Sequence, residues 1–292
     1  MNAILTAPRA PAAPLAPSHP DDRSARSRSG FRPLVADTLV FARRNLEHIR
    51  QIPEKLLDVT IQPLMFVLLF AYVFGGAIDV GGSYREYLIG GILVQTLAFG
   101  MMGPASSIAT DLTEGVVDRF RTLPTRRASY LLGHYLAELG GMVLAMTVLM
   151  ATGLLVGWRT HSSLGDIAGA LALLLVFASA MIWLGSWVGM LVRSPDAVMG
   201  IGFTVVFPLT FLSSAFVPIG SMPEVLQWLA AWNPISTLVA AVRELFGNPA
   251  SPVAHDSWPL EHAVLASALY CAALLAIAVP LTLRRFRTRT TD

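Results

Sequence analysis

Ionisable residues in this chain are spaced so that six long stretches contain no Asp, Glu, Lys or Arg. The uncharged runs hold 20 residues between Asp58 and Asp79, 24 between Glu86 and Asp111, and 20 between Glu138 and Arg159. Three more hold 26 between Asp166 and Arg193, 27 between Asp196 and Glu224, and 22 between Glu261 and Arg284. About 20 mainly apolar residues cross a bilayer as a helix, because backbone groups in hydrocarbon must bond one another. The spacing predicts an all-α membrane protein with six transmembrane helices, at about 59–78, 87–110, 130–157, 167–192, 197–217 and 262–283. Composition agrees: 54% hydrophobic and 14% charged, against about 25% charged in soluble domains. That excludes an ordinary soluble enzyme, a disordered chain and a disulfide scaffold. The single cysteine, Cys271, forms no intrachain disulfide and frames no zinc site.

A seventh uncharged run, Val225–Val242, holds 18 residues and is divided by Asn233-Pro234. The residue before a proline is pushed out of helical geometry. Trp228 and Trp232 suit the headgroup level. Two short helices, Pro223–Trp232 and Pro234–Phe246, are therefore expected as an external re-entrant hairpin between spans five and six.

The arginines set the orientation. Of 21 Lys+Arg, only Lys55 is lysine. With six spans, 18 fall on the side shared by both termini and the 111–127 and 193–196 connections; Arg85, Arg159 and Arg243 fall on the other. The positive-inside rule then places both termini in the cytoplasm. Seven spans would put the arginine-rich tail after Arg284 outside.

In residues 1–30, prolines 8, 11, 14, 17 and 20 recur every third residue. The expectation is an extended, disordered cytoplasmic tail without a cleavable signal peptide. Residues 31–55 differ: Val35, Leu39, Ala42, Leu46 and Ile49 form an apolar stripe flanked by Arg43, Arg44 and Arg50. This pattern predicts an amphipathic helix over 34–52, lying along the inner leaflet lipids. Residues 287–292 are read as a cytoplasmic tail.

The most polar stretch inside the membrane part, Asp111 to Pro124, aligns Leu112, Val116, Phe120 and Leu123 on one helical face. Asp111, Glu114, Asp118, Arg119 and Arg121 occupy the rest. The residues alone allow two readings: a helix transmitting force from a soluble partner, or a solvated loop.

The string Glu114-Gly-Val-Val-Asp-Arg-Phe-Arg-Thr-Leu-Pro124 resembles the cytoplasmic motif of ABC type-2 transport permeases. So do Phe207-Pro-Leu-Thr-Phe-Leu-Ser-Ser-Ala-Phe-Val-Pro218 with Met222-Pro223, Asn233-Pro-Ile-Ser236, and Ala241-Val-Arg243. Pro53-Glu-Lys-Leu-Leu-Asp-Val-Thr60 and Tyr72-Val-Phe-Gly-Gly-Ala-Ile78 fit the same pattern. Together they resemble the daunorubicin/doxorubicin-resistance branch, from about Phe31 to Phe286. The resemblance implies a transmembrane domain over 56–286, with a connecting helix at 34–52 that carries Arg43, Arg44 and Arg50. It implies an ATPase-coupling helix at about Asp111–Leu123, with Asp111, Glu114, Asp118, Arg119, Phe120 and Arg121 as its residues. The external hairpin it implies, at 219–247, includes Pro223, Trp228, Asn233 and Pro234.

The implied function is that of a non-enzymatic permease subunit of an ABC exporter in the bacterial cytoplasmic membrane. It would move an amphipathic drug by alternating access, paired with a second permease copy and a separate ATPase subunit. ATP and Mg would sit on that partner, with no cofactor in this chain and no nucleic-acid partner. Alternative cargoes are a cell-envelope lipid or glycolipid; the different-class alternative is a non-transporting sensor subunit.

Other chemistries find little support in the sequence. A phosphate-cradling P-loop ends in Gly-Lys-Ser/Thr, whereas Lys55 lies between Glu54 and Leu56. Ser186 has no histidine base nearby in sequence, and His134 lies near the cytoplasmic end of the third span. Glu138 is read as an interfacial carboxylate paired with Arg126 or Arg127. Gly153/Gly157 and Gly185/Gly189 have the four-residue spacing that permits close helix packing, expected within one subunit. Phe66, Phe70, Phe99, Met101 and Met102 suit either cargo or, for most of them, lipid contact. Cys271 is read as a buried apolar residue.

Overall fold

The computed structural model describes residues 61, 64–75, 78, 80, 82–114, 127–192, 194–249 and 257–288. The expected tail at 1–30, the connecting helix at 34–52, most of the coupling segment and the residues after Thr288 lie outside these. The described residues form helices and connections, with no strand among them. In chain order the helices are α1 (Leu64–Phe74), α2 (Tyr84–Phe99), α3 (Met102–Thr113), α4 (Arg127–Val156) and α5 (Leu164–Gly189). They continue with α6 (Pro195–Phe211), α7 (Glu224–Ala231), α8 (Pro234–Phe246), α9 (Trp258–Glu261) and α10 (Ala263–Thr288).

Four of these are long and apolar enough to cross a membrane: α2 with α3, α4, α5 and α10. The bent pair α7–α8 makes a fifth if it counts as one span. Two stretches expected as full spans are shorter apolar helices, α1 and α6. In α6 the ladder loosens to a π-turn over Gly202–Val206, and the helix stops at Phe211. The uncharged run there overstates the helix, because lack of charge does not ensure that the backbone stays helical. Conversely, Asp111–Thr113 continue α3 as its last turn rather than opening a separate helix.

Local chemistry explains the boundaries. The Ser163 hydroxyl accepts the Asp166 amide at the start of α5, and Ser194 does the same for Ala197 ahead of Pro195 in α6. Asn233 accepts the Ile235 amide while Pro234 fills the first turn of α8, where its missing N–H costs nothing. Gly247, at φ +67°, ends α8 in the left-handed region, where a Cβ would also meet Ser162 and His161. The two short helices expected on either side of Asn233-Pro234 are present and meet at a 71° bend.

Helix α2 is the central element: 72% of its span window with α3 is buried, against 22% for α10. The main core joins Tyr87, Leu88, Ile92 and Leu93 of α2 to Leu174 and Ile182 of α5 and to Val239, Val242 and Phe246 of α8. At Gly185 and Gly189 a Cβ would overlap the backbone carbonyls of Met101 and Ala105, so these glycines let α5 touch α3. Their close packing is within one subunit, as expected. At the end opposite the hairpin, Ile108, Leu131, Met190 and Phe286 form a separate cluster. The ends of α3, α5 and α10 thus meet the start of α4 at one end of the bundle.

Candidate functional site

The hairpin end is organised around one buried cation. Arg243, on α8, is 1% exposed. Its Nε donates to the Tyr87 carbonyl at 2.8 Å, and its Nη2 donates to the carbonyls of Ser214 and Ala215 at 2.9 and 3.0 Å. The guanidinium lies over the Tyr87 ring, 3.3 Å from its centroid. A buried charge is costly unless hydrogen bonds and other polar contacts compensate it, and here carbonyls at Nε and Nη2 and a π-face supply part of that compensation. Its Nη1 is buried without a hydrogen-bond partner.

The residues after α6 complete the cluster. Tyr87 and Tyr84 donate their hydroxyls to the carbonyls of Ser214 (2.8 Å) and Phe216 (3.1 Å). Asn233 Nδ2 donates to Leu209 and Leu212, each at 2.7 Å. The Ser214 amide donates to the Ser236 hydroxyl at 3.1 Å. Glycine at position 91 is required, since a Cβ there would occupy the place of the Ala215 carbonyl. Start of α2, end of α6 and hairpin are therefore one polar-stitched block.

Of the hairpin residues singled out in the sequence, Asn233 and Pro234 have structural roles in this block. Pro223 precedes α7, and Trp228 and Trp232 are both more than half exposed, as headgroup-level tryptophans would be. Arg243, Tyr84 and Tyr87 were not among the sequence-selected site residues. One signal was present: Arg243 lies four residues after Val239 and three before Phe246, on the apolar stripe of α8. A charge on the buried face announces a partner.

At the other end, Asp111 lies in the last turn of α3 and Glu114 is its exposed C-cap. Asp118, Arg119, Phe120 and Arg121 lie outside the described residues, as do Arg43, Arg44 and Arg50. Glu138 sits 3.9 Å from buried His134, one turn before it on α4, and Gly103 of α3 faces its carboxylate. Arg126 and the side chain of Arg127, its expected partners, lie outside the described residues. The Ser186 hydroxyl donates to the Ile182 carbonyl of its own helix at 2.7 Å, the ordinary habit of a helical serine. Among the described residues no His/Cys/Asp/Glu group could hold a metal ion.

Phe66 and Phe70 of α1 join a row of rings that runs through Phe216 to Phe211 and Phe207, with neighbouring centroids 4.1–5.9 Å apart along that path. Phe99 and Met102 pack against the main core and Met101 belongs to it. Cys271 is buried, as expected.

Comparison with known proteins adds the family. The model of the ABC-2 type transporter family matches residues 37–246. The daunorubicin resistance ABC transporter permease protein DrrB1 of Streptomyces coeruleorubidus is 32% identical over 267 residues, covering 91% of each chain. The doxorubicin resistance ABC transporter permease protein DrrB of Mycobacterium tuberculosis is 24% identical, covering 73% of this chain and 74% of its own. The putative transport permease ycf38 of Porphyra purpurea is 25% identical, over 67% and 69%. The family match includes the bent hairpin and the arginine-centred block that α2, α6 and α8 build. This chain belongs to the ABC-2 type transporter family.

Proposed function

We infer that the chain is the membrane permease subunit of an ATP-driven ABC exporter, with an amphipathic drug or antibiotic as its cargo. The observation that carries this reading is similarity over 91% of both chains to a permease named for daunorubicin resistance. ATP and Mg bind a separate ATPase subunit, and two permease copies form the membrane part. Six crossings, with α1 and α6 as the first and fifth, place both termini in the cytoplasm by the arginine distribution. The segment from Asp111 to Leu123 seats on the ATPase, with Glu114, Asp118, Arg119 and Arg121 as contacts. ATP-driven closure of the ATPase pair favours one membrane conformation over the other through differential affinity, as any ligand-driven switch must.

The test is doxorubicin accumulation in cells that express the chain with its ATPase. Accumulation falls relative to cells expressing either subunit alone. Glu114→Ala and Arg119→Ala reverse that fall while the protein still inserts, since losing one partner of a desolvated charge pair costs about 2–5 kcal/mol. A solvated loop residue would cost about 0.5 kcal/mol or less, and parental efflux and co-purification in both variants would remove the coupling role.

A further inference from the structure

We propose that the cleft between the end of α1 and the start of α2 binds the phosphate headgroup of an anionic lipid, in the leaflet at the hairpin end, with Arg85 as the cation that holds it. The site goes beyond the permease reading and does not depend on the cargo. Ala71, Tyr72 and Gly75 line the cleft on one side and Ser83, Tyr84 and Arg85 on the other, around a cavity of about 370 Å³. The Arg85 guanidinium lies 5.2 Å from the Tyr72 ring centroid, and its Nη1 donates to the Val156 carbonyl at 3.2 Å. These contacts fix the head of an otherwise exposed side chain. They leave further N–H donors for a ligand, since a guanidinium carries five.

Charge selects an anion. Among the described residues no carboxylate pairs with Arg85, and its neighbour Glu86 is held by His161 at 3.0 Å. The other two arginines expected on this side are engaged. Arg243 is buried against carbonyls, and Arg159 Nη1 donates to the Leu154 and Trp158 carbonyls, each at 2.8 Å. The Ser83 hydroxyl caps no amide of α2 and is a second donor at the cleft. Tyr84 gives its hydroxyl to the Phe216 carbonyl and supplies only its ring. Phosphate oxygens match the planar fork of an arginine. Surroundings select a lipid over a free anion. Leu68, Leu69, Tyr72 and Val73 of α1 are 37–63% exposed, so an apolar strip leads along α1 from the cleft, where an acyl chain would lie. Exposed Trp228 and Trp232 mark the same end of the molecule as headgroup level.

Native mass spectrometry of the full chain in detergent, titrated with phosphatidylglycerol or phosphatidylcholine, tests the site without any ATPase or cargo. Phosphatidylglycerol binds more tightly than phosphatidylcholine, and inorganic phosphate at equal concentration does not displace it. Arg85→Gln weakens phosphatidylglycerol binding about fivefold, the contribution of one basic residue beside anionic lipid, and leaves phosphatidylcholine binding unchanged. Arg159→Gln removes another arginine expected on this side and keeps the parent's affinity for phosphatidylglycerol. Ser83→Trp keeps the Arg85 charge but fills the cleft, and weakens phosphatidylglycerol binding. Parental affinity in Arg85→Gln or in Ser83→Trp overturns the site. So do equal losses in Arg85→Gln and Arg159→Gln, which would mean diffuse attraction of charge. Phosphatidylcholine bound as tightly as phosphatidylglycerol, or displacement by inorganic phosphate, overturns the anionic lipid as its ligand.

Discussion

Arg243 shows what one residue contributes to this fold. Lysine at position 243 would keep the charge but lose the planar fork that reaches three carbonyls. Methionine would keep much of the volume and relieve the burial of charge, yet would leave the Ala215 carbonyl without its donor. The Ser214 carbonyl would retain Tyr87, so the net cost is smaller than three lost bonds suggest. An orphaned buried acceptor costs about 1–3 kcal/mol. Arg243→Met therefore lowers the thermal midpoint of the detergent-solubilised chain, measured by the rise of intrinsic tryptophan fluorescence change with temperature. Arg243→Met unfolding at the parent's temperature would contradict the role given to this side chain. The sequence shows Arg243 as one of three cations opposite the arginine-rich side. Its burial depends on carbonyls 28 and 29 residues earlier in the chain, which no local pattern reveals.

At the scale of elements, the charge-free runs located most helices well. Residues 167–192 were expected for the helix found at Leu164–Gly189, and Asn233-Pro234 marks the break between α7 and α8. The fifth run was too generous: Ser213 bonds Thr210 and Ala215 in a local turn after Phe211, and donors from α2, Asn233 and α8 bond the carbonyls that follow, contacts that a count of charges does not register. Helix contact between α3 and α5 was legible in the spacing of Gly185 and Gly189, though not which helix they meet. Gly185→Leu drives side-chain atoms into the Met101 backbone, and overpacking of this kind costs about 1–3 kcal/mol. Gly200→Ala is the matched control: nothing lies within 4 Å of its Cβ position, and alanine is favoured in a helix interior by about 0.5–1 kcal/mol. The first variant loses monodisperse yield on size exclusion and the second equals or exceeds the parent. Equal yields for both would mean that α3 and α5 do not pack this closely.

For the whole molecule, the two ends differ in kind. One gathers the bent hairpin, exposed tryptophans and the Arg243 block; the other gathers the ends of α3, α5 and α10 with the start of α4. Cysteine labelling in a Cys271→Ser chain gives the sidedness. Ser83→Cys, at an exposed position before α2, reacts with an impermeant maleimide in intact cells, and Thr125→Cys reacts only after permeabilisation. External reactivity at position 125 would overturn the six-crossing arrangement. As a permease subunit the chain would transmit energy that another polypeptide releases, and ATP hydrolysis in purified samples separates the two. The chain alone hydrolyses ATP at the background rate, and vanadate-sensitive hydrolysis stimulated by doxorubicin appears when the ATPase subunit co-purifies with it. Sustained hydrolysis by the isolated chain, free of any ATPase, would contradict the account.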